Sequence, residues 1–137
     1  MRRPLLLSLL ALGACAGPLP APDPQQAWVE LQVRAGYTLM AHRLDGTPSR
    51  DGRNFQLGPG AHELQLRFQF EVAGGAGETG REPRLTTCLL RLDYDGFAAG
   101  QRYRIEARPL QYRAQAWLYG EDRQILARAE VLRCGAF

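Results

Sequence analysis

The 137-residue chain contains no lysine, so all 17 of its basic side chains are arginines, and it has only two histidines and three cysteines. Each shortage removes a class of chemistry. Without lysine there is no P-loop to cradle a nucleotide's phosphates. The two histidines, His42 and His62, stand in no metal-ligand spacing with Cys, Asp or Glu. Beyond the first 14 residues the one serine is Ser49, in a polar loop without the Gly-x-Ser-x-Gly elbow, which argues against serine hydrolase chemistry. Helical periodicity is weak along the whole body of the chain. The exclusive use of arginine reads first as the mark of a GC-rich genome, and second as a supply of guanidinium forks for carboxylates or phosphates.

What is present is an ordinary globular composition, with 45% apolar and 23% charged residues, and a length suited to one domain. The first 14 residues give a basic start (Arg2, Arg3), an apolar run from Leu5 to Leu12, and the small residues Gly13 and Ala14. This is the pattern of a secretory signal peptide, too short to remain as a membrane-spanning helix. Once Arg2 and Arg3 are set aside, 15 arginines face 14 acidic residues. A balance so near neutral argues against a nucleic-acid partner, which would require a basic stripe.

The stretch Leu12-Gly13-Ala14-Cys15 resembles the lipobox of bacterial lipoproteins, with leucine three places before the cysteine and small residues between. The resemblance implies cleavage before Cys15, acylation of its thiol and new amine, and a near-permanent membrane attachment through about 0.8 kcal/mol per buried methylene. Ala16, where aspartate would favour retention at the inner membrane, implies the outer membrane's inner leaflet. The next ten residues, Gly17 to Gln26, hold four prolines, a density that favours an extended, semi-rigid tether. The expected organisation is a signal peptide over 1–14, an acylated and proline-rich linker over 15–26, and a domain over 27–137.

From Trp28 the dominant period is two, the signature of strands with one buried face. In Ala61 to Val72, His62, Leu64, Leu66, Phe68, Phe70 and Val72 alternate with Glu63, Gln65, Arg67, Gln69 and Glu71. Similar alternation marks Val29 to Val33, Cys88 to Tyr94, Tyr103 to Ala107 and Ile125 to Val131, with further strands expected near Tyr37 to Leu44 and Tyr112 to Tyr119. Turn signals at Asp45-Gly46, Asp51-Gly52, Gly58-Pro59-Gly60, Asp95-Gly96 and Gly120-Glu121-Asp122 separate them. The expected fold is all-β, an antiparallel sandwich of about seven strands, because the connections are too brief for parallel crossovers. The segment Phe55 to Leu66, with its Leu-Gly-Pro-Gly-Ala-His order, resembles a hairpin of PEGA-like domains, small envelope β-sandwiches. That resemblance implies a fold class and no activity.

Candidate sites are few. Gly75-Ala76-Gly77-Glu78-Thr79-Gly80 has the letters of a dinucleotide fingerprint, but Arg81 to Arg84 lead into a strand instead of the helix that motif needs. Asp93 and Asp95 alternate and could face one ligand, although the further oxygens of a calcium loop do not follow. His62 opens a strand, where a hydrogen-bonded structural role is expected. Trp28, Trp117 and Tyr119 are candidate exposed aromatics, and Arg50, Arg53, Arg81 and Arg84 mark two candidate binding loops, Asp45 to Asn54 and Gly74 to Arg84. With Cys15 acylated, Cys88 and Cys134 are expected to form a disulfide in an oxidising compartment, with two unpaired buried thiols as the alternative. No catalytic set, metal or cofactor is expected. The functional expectation is a non-enzymatic, outer-membrane-anchored binding or structural accessory to another envelope protein, held at the membrane by its lipid. A pilotin-like assembly factor for a secretion channel, or a small-ligand binder or enzyme, are the alternatives.

Overall fold

A computed structural model describes residues 22–73 and 83–137. The strands in chain order are β1 (Ala27–Gln32), β2 (Thr38–Leu44), β3 (Thr47–Pro48), β4 (Asn54–Leu57), β5 (Gly60–Val72), β6 (Arg84–Phe97), β7 (Arg102–Leu110), β8 (Arg113–Tyr119), β9 (Ile125–Arg128) and β10 (Glu130–Gly135). They form two five-stranded sheets, ordered β4-β1-β7-β8-β9 and β10-β6-β5-β2-β3. The fold is the all-β sandwich that the alternation predicts.

Alternation decides what lies between the sheets. Along β5, Leu64, Leu66, Phe68 and Phe70 are buried while Gln65, Arg67 and Gln69 between them reach solvent. Val29, Ile105 and Leu118 of the first sheet are fully buried against them, as are Cys88, Leu90 and Leu92 of β6. Sealing each such leucine or phenylalanine contributes about 1.5–3 kcal/mol.

The strand count and several connections differ from the expectation of about seven strands. β3 has only two residues and β4 only four, too few to register as a period. The run from Ile125 to Val131 breaks at Ala129, whose amide donates to the Ala116 carbonyl at 2.9 Å. There the chain leaves the edge of the first sheet as β9 and joins the edge of the second as β10. The expected Phe55 to Leu66 hairpin is instead an arch, since β4 and β5 belong to opposite sheets. Its turn ends on Gly60 at φ 110°, a conformation that costs glycine nothing.

Asp95-Gly96 is not a turn. β6 runs through it, and because Gly60 pairs with Phe97 and His62 with Tyr94, the two residues form a bulge opposite Ala61. Tyr94 lies across Gly96, where an added Cβ would stand 2.8 Å from the tyrosine hydroxyl. The ring is held there by edge contacts to Phe97 at 4.9 Å, which in turn meets Tyr103 at 5.0 Å. One pairing is parallel, β1 with β7. Short connections exclude parallel pairing only between consecutive strands, and here β2 to β6 intervene, passing between the sheets.

The disulfide between Cys88 and Cys134 is formed, across directly paired positions of β6 and β10. It closes a separation of 46 residues, worth about 4 kcal/mol by loss of unfolded-chain entropy. The last residues of the segment expected as a tether are folded onto the domain: Gln25 and Gln26 donate to Asp23 at 2.8 and 3.0 Å, and Gly100 donates to Gln26 at 3.0 Å.

Thiol titration of the denatured, unreduced protein should find neither Cys88 nor Cys134 reactive, and the Cys88→Ser/Cys134→Ser pair should unfold at lower denaturant, by up to about 4 kcal/mol. Gly96→Ala should lower stability by about 1–3 kcal/mol through overpacking against Tyr94, measured by urea unfolding. A neutral effect of Gly96→Ala would mean that the ring does not need the space.

Candidate functional site

One end of the sandwich gathers polar groups. The turn after β2 carries Asp45 and Gly46 at φ 49° and 81°, the two-residue hairpin geometry that Asp-Gly favours. Asp45 is thereby aimed at β5: its carboxylate accepts the Glu63 amide at 2.8 Å and meets His62 Nδ1. His62 Nε2 donates to the Gly58 carbonyl at 2.7 Å. A carbonyl oxygen only accepts, so Nε2 carries a hydrogen.

His62 therefore ties the β2–β3 turn to the β4–β5 arch. An Asp–His pair resembles two members of a catalytic triad, but a working base needs a ring nitrogen free to take a substrate's proton. Both nitrogens here are engaged within the protein. The hydrogen-bonded structural role expected for His62 is the one its geometry shows.

Beside the pair lies an open recess of about 610 Å³, lined by Asp45, His62, Glu63, Asp93, Tyr94, Asp95 and Leu126. Asp93 and Asp95 both border it, as their spacing allows. Asp93 sits 3.2 Å from Arg91 Nε, a charge contact outside hydrogen-bond alignment, while Arg91 donates to Glu130 at 3.0 Å. Among the described residues no three acidic, histidine or cysteine side chains converge as a metal site.

Arg84, at the described end of the second candidate loop, stands far from the first loop. Asp45 to Asn54 leaves β2 beside Glu63, whereas Arg84 pairs with Val72 at the far end of β5, about 30 Å along the strand at 3.3 Å per residue. Arg53 is committed within its own loop, donating to Asp51 at 3.0 and 2.8 Å. Arg50 and Arg84 are exposed. Arg81, the glycine-rich segment 75–80 and Cys15 lie outside the described residues.

The grouping that sequence reasoning missed is on the outer face of the first sheet. Because Tyr103, Ile105 and Ala107 point inward, Arg102, Arg104, Glu106 and Arg108 point outward. Registers place Tyr119 beside Arg104, Trp117 beside Glu106, and Arg128 beside Trp117. The Arg104 guanidinium covers the Tyr119 ring at 5.1 Å and that of Arg108 covers Trp117 at 4.8 Å. The signal was present in the strand pattern: the same period that identifies the buried residues identifies their outward neighbours. Of the three candidate aromatics, Trp117 and Tyr119 are half-buried on this face, while Trp28 is buried.

No protein-family description, curated protein or solved structure matches the chain.

On the acid side, three groups among the described residues link stability to pH. Burial, helped by Arg43 and Arg67, holds His42 below the ordinary histidine value of 6.5. Desolvation raises the Asp45 carboxyl, but hydrogen bonds from His62 and the Glu63 amide, with the His62 charge, together outweigh it and hold the group below its ordinary 3.8. Arg53 hydrogen bonds bring Asp51 down to about 2. The folded state thus resists protonation at all three, so stability should fall in two stages on acidification. The first begins near pH 6.5 as unfolded His42 takes a proton, and the second runs from about pH 4 toward 2 as Asp45 and Asp51 lose their partners. Denaturant unfolding across that range should show the first stage shrink in His42→Gln and the second shrink in Asp45→Asn. A profile unchanged in both variants would refute these assignments.

Proposed function

We propose that the chain is an exported, lipid-anchored protein of a bacterial envelope, whose β-sandwich serves as a binding or structural accessory to another envelope component and performs no turnover of its own. The observation that carries this reading is the Cys88–Cys134 disulfide. Bonds of this kind persist in oxidising compartments and are rare in the reducing cytosol, so the bridge supports export independently of the leader. It also accounts for two of the three cysteines. Cys15, at the end of the lipobox, is left as the acyl acceptor, and Ala16 after it favours the periplasmic face of the outer membrane.

The binding role is supported by the interior and by the surface. The space between the sheets is filled with leucine, phenylalanine and isoleucine, and His62 is tied up in a clamp. The groups available to a partner are therefore those of the outer faces and the ends. With Asp23 to Gln26 folded onto the domain, a tether of about seven residues at about 3 Å each places such a partner in or near the same membrane.

Cys15→Ser should abolish incorporation of a clickable fatty acid and leave the chain uncleaved or mislocalised. Equal labelling of the variant and the natural chain would sink the lipoprotein assignment.

A further inference from the structure

The two outer faces of the sandwich differ in how their charges are used. On the second sheet, Arg91 lies against Asp93 and Glu130, and Arg67 donates to the Phe137 carbonyl at 3.4 Å. Those two guanidinium groups are answered from within, and Arg133 of β10 lies over the Phe137 ring at 4.0 Å. On the first sheet the outward positions carry five arginines, Arg102, Arg104, Arg108, Arg113 and Arg128, against the two carboxylates Glu30 and Glu106. Only Arg104 makes an ion pair with a described residue, Glu106 at 3.0 Å, and that contact lacks hydrogen-bond alignment.

The surplus positive charge is interleaved with rings. Trp117 and Tyr119 stand two residues apart on β8 and share a face, each with a guanidinium laid over it. At the rim, the β7–β8 turn leaves Leu110 51% and Tyr112 67% exposed beside Arg113. From Arg102 to Arg108 the row covers about 20 Å at 3.3 Å per residue, longer than a single small molecule would need.

We infer that this face is a binding surface for an acidic glycan, a chain of sugar rings bearing carboxylates or phosphates. The chemistry has two parts. Guanidinium forks pair with carboxylate and phosphate oxygens in plane, and their geometry is fixed by the sheet beneath. The exposed Tyr112 ring at the rim, and the parts of Trp117 and Tyr119 that the guanidinium groups leave open, offer apolar surface of low conformational cost, against which the carbon faces of sugar rings pack. An acidic peptide would use the first part alone. Nucleic acid would use both, but the disulfide supports export, which favours a glycan. The inference rests on the export reading above, and the binding measurement does not.

The test uses the purified full chain in detergent micelles, with fluorescently labelled polygalacturonate as the acidic glycan and dextran, polyglutamate and single-stranded DNA as comparators. Polygalacturonate should bind at low salt and weaken as salt rises, while dextran should not bind. Arg102→Gln/Arg113→Gln/Arg128→Gln should weaken binding about 10-fold, since each exposed charge contact contributes modestly. Arg91→Gln on the opposite face should not weaken it. Trp117→Leu should weaken polygalacturonate binding more than polyglutamate binding, which separates ring packing from charge. The surface assignment fails if the triple variant binds as the natural chain does. The glycan assignment fails if polyglutamate or DNA binds more tightly than polygalacturonate, or if Trp117→Leu affects polyglutamate equally. Circular dichroism of each variant in the same micelles confirms that loss of binding is not loss of fold. Should acylation at Cys15 prove absent while these binding results hold, the surface stands and only the anchor is lost.

Discussion

Everything in this structure depends on the closing of two sheets over one layer of alternate side chains. A strand can bury only every second residue, so a sandwich of ten strands is stable only if each supplies an apolar face to the same gap. β5 and β6 do most of this, as the two longest strands and immediate neighbours in the second sheet. The disulfide acts at the edge of the second sheet, where β10 has just arrived from the other sheet. Cys134 is paired directly with Cys88, so the covalent bond fixes the register of a strand that follows a register shift between Val131 and Arg133.

The ends of such a fold pose the opposite difficulty. Turns there must satisfy backbone groups without a neighbouring strand, and the acidic end solves this with side chains. Asp45 accepts the Glu63 amide, His62 reaches both Asp45 and the Gly58 carbonyl, and Tyr103 accepts the Ala98 amide at 2.9 Å. A histidine with both nitrogens committed in this way is a fastening between turns. The same engagement that stabilises the end withdraws the ring from proton transfer.

Period two was legible because burial on one face leaves a mark at every second position. It located β5, β6 and β7, the count of cysteines left after Cys15 pointed to the disulfide partners, and the Asp-Gly rule located the β2–β3 turn. What escaped had physical reasons of its own. β4 is too short to show a period. The corner at Ala129 changes sheets without changing the alternation, so Ile125 to Val131 looks like one strand. Asp95-Gly96 has the composition of a turn, but the glycine is required because Tyr94 folds over it, a tertiary demand that no local rule contains. The parallel β1–β7 pair joins segments far apart in sequence, where connection length carries no information. As for the candidate site, Arg50, Arg53 and Arg84 were visible as charge, yet the separation of Arg84 from the other two along β5 could be known only from the fold.

The outer face of the first sheet follows from the same constraint as the core. Once Tyr103, Ile105 and Ala107 are committed inward, Arg102, Arg104, Glu106 and Arg108 are committed outward, at fixed spacing and on a rigid support. Registry with β8 then brings guanidinium groups and rings together whether or not they attract. The contrast with the second sheet is what gives the arrangement meaning. Had stability alone been served, carboxylates opposite Arg102, Arg113 and Arg128 would be expected as they are found around Arg91, because like charges gathered on one face repel. A face that carries five arginines against two carboxylates is less stable for it, and the unbalanced charge is most simply understood as complementary to something outside the chain.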